Sequence, residues 1–101
     1  SEFIELIWED GEALNSFAFD YQKKFSDQEK LEKAKLWIER SVELNRHYKN
    51  LDTYMSILYK LDYNSEAITI GKEDIQLAVR DSLDYGSTHI LRDSFQDLLN
   101  K

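Results

Sequence analysis

The chain has no cysteine, no proline and only three glycines in 101 residues. The missing cysteine excludes disulfides, thiolate metal sites and cysteine nucleophiles, and it leaves the compartment open. The scarcity of proline and glycine leaves the chain with little punctuation. That favours helices joined by short turns over a sandwich or barrel. Basic runs are missing too, since no run of Lys/Arg exists beyond Lys23-Lys24. With a formal net charge of −7 and a pI near 4.7, the chain lacks the footprint that nucleic acid or an anionic membrane surface requires. No segment approaches the roughly 20 apolar residues of a membrane span, so no membrane insertion is expected. No signal peptide is visible, and the chain opens at Ser1-Glu2-Phe3. The expectation is a domain excised from a longer protein, with any targeting segment upstream.

Chemistry-bearing patterns are equally sparse. His47 and His89 are the only histidines and are not spaced as helical metal ligands. No glycine-rich phosphate loop, calcium loop or nucleophile elbow is present. Carboxylates are numerous, but they read as scattered on solvent faces, with no pair isolated in an apolar setting of the kind that tunes a general acid. No catalytic residue, metal ligand or cofactor is therefore expected, and the chain alone reads as no enzyme.

What the sequence does contain is helical periodicity. The apolar share is 42% and the charged share 33%, a balance that suits one folded domain and argues against disorder. Residues Phe3–Trp8 are mostly apolar and too short to decide helix from strand. They are either a connector packed on the first helix or a docking stub for an upstream domain. The spacing predicts a helix over 11–25, with Leu14, Phe17, Ala18, Tyr21 and Phe25 on one face. Ser26-Asp27-Gln28-Glu29 matches a capping box. The helix behind it runs to about Asn45, with Leu31, Ala34, Ile38, Ser41, Val42 and Trp37 inward. Asn50 is placed as the N-cap of a helix over 51–61 whose face is Leu51, Tyr54, Met55 and Leu58. Asn64 or Ser65 caps a longer helix over 65–83. Its stripe is Ile68, Ile75, Val79 and Leu83, edged by Ala67, Gly71 and Ala78, with Asp74 close to the buried face where that face becomes exposed. Gly86 ends it, and a last helix over 88–100 carries a single apolar stripe.

Ala34 and Ala67 lie 33 residues apart, each as the small member of an amphipathic helix. The segment Tyr59-Lys60-Leu61-Asp62-Tyr63-Asn64-Ser65-Glu66-Ala67-Ile68, with Ser41–Asn45 as the close of a unit, resembles tetratricopeptide repeats, whose period is about 34 residues. The match departs at Arg46, where the family often has proline. It departs also in the longer spacing between Ala18 and Ala34, and at Gly71 and Asp74. The resemblance implies an all-α fold: two antiparallel helix pairs (11–45 and 50–84) after a connector (1–10), closed by a capping helix (87–101), as a short right-handed α-solenoid. More narrowly, the order of segments is similar to the C-terminal repeat segment that follows a thioredoxin-like domain in some bacterial proteins. That likeness implies a soluble protein of the bacterial cytoplasm or periplasm, with any redox chemistry in the upstream domain.

Such repeats bind a peptide or protein on the concave surface made by the first helix of each pair. Here the off-stripe residues are Asn15, Phe19 and Gln22, then Lys49, Asp52, Ser56 and Tyr59. Phe19 and Tyr59 are either exposed aromatic anchors or aromatics covered by the last helix or the N-terminal segment. The expected function is a non-catalytic protein-interaction module. The alternative is a structural appendage that docks on its own upstream domain or forms a homodimer, motivated by Phe3, Ile7 and Trp8.

Overall fold

Every regular element that the sequence periodicity predicts within residues 2–80 is helical in the computed structural model, which describes those residues. The elements are α1 (Glu2–Leu6), α2 (Gly11–Lys24), α3 (Gln28–Leu44), α4 (Tyr48–Lys60) and α5 (Asn64–Arg80). The expected helix end at Leu83, the Gly86 stop and the helix over 88–100 lie outside the described residues.

Two antiparallel hairpins, α2–α3 and α4–α5, provide most of the packing, and α4 also lies against α3 and α2. In the first hairpin Leu14 and Ala18 of α2 meet the Leu31, Ala34, Ile38, Ser41 and Val42 stripe of α3, all buried as expected. Gly11 brings the start of α2 onto the end of α3. A Cβ there would stand 3.4 Å from the Ser41 carbonyl oxygen. The Ser41 hydroxyl donates to the Gly11 carbonyl at 2.6 Å. Beside this core Phe17 and Tyr21 of α2, and Phe25 just after its end, form an aromatic ladder with Trp37 of α3, with centroids 4.7–6.0 Å apart.

The short apolar lead-in is helical and packs back on α2. Ile4 is buried, and the Phe3 ring lies 5.0 Å from Phe17. Arg40 of α3 fixes the following turn. Its guanidinium donates to the Trp8 carbonyl and to Glu9, pairs with Glu43, and lies over the Trp8 ring. Ion pairs this exposed add little by themselves; the ring and carbonyl contacts give the turn its register.

Helix starts differ from the sequence expectation in three places. The Ser26/Glu29 capping box does not form. Asp27 occupies the cap of α3, its backbone extended and its side chain without a capping bond, so the register moves on by one residue. Helix α4 begins one turn earlier than expected, at Tyr48. His47 is its cap, and Asn50 is the third helical residue, reaching back to the His47 amide at 3.0 Å. Neither Asn64 nor Ser65 caps α5. Tyr63 precedes its first residue, and its carbonyl accepts from Ala67.

The interior of the second hairpin also differs. Helix α4 is buried on two sides. Met55 and Leu58 pack with Ala67, while Ile57 joins Ala18, Ala34 and Ile38. On α5 the expected centre and edge exchange roles. Ala67, Gly71, Asp74 and Ala78 are the buried stripe, Ile68 and Ile75 are half-buried, and Val79 is 64% exposed. Small side chains let the α5 backbone approach α4, and the larger ones close over the sides of the contact.

Candidate functional site

Helices α2 and α4 lie side by side and run in the same direction, which brings together residues 34 apart in sequence. Near the C-terminal ends the Ser56 hydroxyl donates to Gln22 Oε1 at 3.1 Å. Lys60 Nζ donates to the Gln22 carbonyl at 2.7 Å, satisfying a terminal carbonyl of α2. At the opposite ends a cavity of about 220 Å³ opens between the first turns, lined by Glu12, Asn15, Asn45, His47 and Lys49.

The seven residues placed on the concave face from sequence therefore divide. Asn15 and Lys49 line the cavity. Asn15 Oδ1 is shut off from solvent and accepts no hydrogen bond, while Lys49 is exposed. Gln22 is 2% exposed, and its side-chain oxygen faces Ser56, so this pair joins α2 to α4. Phe19 is 42% exposed, with the Lys23 ammonium 5.1 Å from its ring centroid. Tyr59 instead packs against the Met55, Leu58 and Ala67 cluster. Asp52 turns toward α5.

The C-terminal end of this face is basic. Burial, and next the nearby Lys23 charge, lower the Lys60 ammonium below its usual value. Neither lysine forms an ion pair among the described residues. The other flank of α4 is held by tyrosine hydroxyls. Tyr54 donates to Glu39 at 3.1 Å and Tyr63 to Glu32 at 3.0 Å. Burial first, then the Glu39 charge and bond, raise the Tyr54 phenol above its usual range. A second hollow on this flank, lined by Tyr54, Ser65, Glu66, Thr69 and Ile70, contains none of the seven residues placed on the concave face.

A buried titratable pair was missed. Asp74 is fully buried on α5, within hydrogen-bonding reach of Asp52 on α4. This corrects the reading that every carboxylate lies on a solvent face with none in an apolar setting, and the reading that Asp74 marks a face becoming exposed. Asp74 follows Ala67 and Gly71 on the helical repeat and precedes Ala78, and that position was the available signal. The weight given to the neighbouring isoleucines hid it. Asp74 is closed off from solvent, and Asp52 is half-buried. No group of three or more His, Cys, Asp or Glu side chains suited to a metal ion occurs among the described residues, and no helix among them is long and apolar enough to cross a membrane. Comparison with protein-family models, with curated proteins and with solved structures finds no match.

Proposed function

We propose that this chain is a non-catalytic protein-interaction module of the tetratricopeptide type, binding a peptide or protein segment along the face shared by α2 and α4. The observation that carries the reading is the exposed Phe19 ring beside Lys23, on the same face as the polar cavity at Asn15 and Lys49. An accessible aromatic next to fixed polar groups suits an anchor residue. Support for the repeat assignment comes from the two hairpins, the side-by-side first helices, and the fully buried Ala34 and Ala67 where close crossings are needed. The narrower likeness makes the module the C-terminal part of a bacterial thioredoxin-like protein.

The test is selection of binders from a displayed peptide library, followed by titration of one selected peptide. Phe19→Ala is expected to weaken binding at least tenfold, which is about 1.4 kcal/mol, with unchanged helicity. Equal affinity for the variant would remove Phe19 from the site.

A second reading has its own observation. Leu6 is 83% exposed, Leu36 60% and Phe3 49%. These side chains favour an appendage that docks on an upstream domain or on a second copy of itself.

A further inference from the structure

We infer that the Asp52 and Asp74 carboxyls share one proton in the folded protein at neutral pH, and that this proton allows α5 to close on α4. The inference is independent of the binding reading and rests on the interior of the second hairpin. Asp74 exposes none of its surface. Both of its carboxyl oxygens are buried without a hydrogen-bond partner, and so is Asp52 Oδ1. Among the described residues, the side chain within hydrogen-bonding reach of the Asp74 carboxyl is Asp52. An ionised carboxylate is an acceptor alone. Two of them facing each other repel, and the buried oxygens, both of Asp74 and Oδ1 of Asp52, have no donor to replace the water they have lost. One proton turns the repulsion into a charge-assisted O–H···O bond, short and strong in such surroundings.

The surrounding charges place the proton. Among the described residues, His47, the cap of α4, is the other titratable group acting on the pair, and it favours an ionised Asp52. Helices α2 and α3 bring no charged group to either carboxyl, and Arg46, before α4, is bonded to Glu73. Asp74 is therefore the protonated partner. Burial first, then the bond and charge of Asp52, hold its carboxyl up to about 10, whereas burial is also the main cause raising Asp52.

In the unfolded chain both groups ionise near the ordinary value of 3.8. Between that value and about 10 the folded state holds more protons than the unfolded state. The stability linked to this pair is fully present below the unfolded pKa and is lost as pH rises toward the folded one. Acid thus tightens the α4–α5 hairpin, and α4 carries the Lys49 side of the cavity.

The direct test is a carboxyl-carbon NMR titration of the unaltered protein labelled at aspartate. Asp74 is expected at its protonated shift at neutral pH, titrating only in alkali. An ionised Asp74 at neutral pH would overturn the inference. Thermal melts of Asp74→Asn supply a second readout. The neutral isostere, donating to Asp52, is expected to melt above the parent at about pH 8, with the difference shrinking toward pH 4. A variant that melts below the parent by the same margin at every pH would count against the shared proton. So would a parent melting temperature that rises with added calcium and falls with chelator, because a bound cation would then hold the two carboxylates. The titration needs no variant, so it decides the matter even where Asp74→Asn does not fold.

Discussion

Asn50 does more structural work than its sequence position suggests. Its Oδ1 accepts from the His47 amide, while its Nδ2 donates to the Asn45 carbonyl at 2.7 Å and to Ser41 Oγ at 3.2 Å. Ser41 in turn donates to Gly11. One buried chain of hydrogen bonds therefore joins the starts of α4 and α2 to the end of α3. Removing one member strands its partners away from water, which costs about 1–3 kcal/mol per unsatisfied group. Asn50→Ala is expected to lower the free energy of unfolding by about 2 kcal/mol in a urea titration read by circular dichroism, and a change within error would show that solvent satisfies the exposed ends. The sequence marked Asn50 as a capping residue and Ser41 as inward-facing. It gave no sign that the two bond to each other, because a nine-residue separation across a turn has no periodic signature.

At the scale of the elements, turn chemistry decides where helices stop. Helix α4 ends in a Schellman arrangement. The Tyr63 amide donates to the Leu58 carbonyl, and the Asp62 amide to that of Tyr59. Asp62 holds the left-handed position at φ 61°, usually taken by glycine. Aspartate tolerates that conformation better than a branched residue. Asp62→Val is expected to destabilise the protein by about 1–2 kcal/mol, measured by chemical denaturation, whereas Asp62→Gly keeps the turn. Equal stability of the valine variant would mean that the α4–α5 turn has another geometry in solution. Helix existence and the core face of α3 were legible from apolar spacing. Helix starts were less so, since Ser26, Asp27, Asn50, Asn64 and Ser65 are all competent caps and local chemistry does not choose among them.

For the whole molecule, the exposed apolar side chains separate the two functional readings. A face that docks on a second copy should give concentration-dependent association in sedimentation velocity, abolished by Leu6→Lys/Leu36→Lys. A monomer at every concentration, with no affinity for an upstream domain, would remove the appendage reading and leave the α2–α4 face as the one to pursue. Phe19 lies apart from that logic, since its ring stands on the shared face with Lys23 across it.

Periodicity and the lack of proline were enough to determine an all-helical chain within the described residues, the pairing of small residues with close crossings, and the buried stripe of α3. These follow from local preference and from one-face burial, which repeat along the sequence. Only the tertiary structure decided which side of α5 faces inward, that Gln22 and Ser56 join two helices, and that Tyr59 is packed while Phe19 is open. It alone placed Asp74 against Asp52. A helix with small residues on one stripe and branched ones beside it can bury either, and the choice depends on how closely its neighbour approaches. That distance is set by α4, whose own two-sided burial requires contacts from α2, α3 and α5 together.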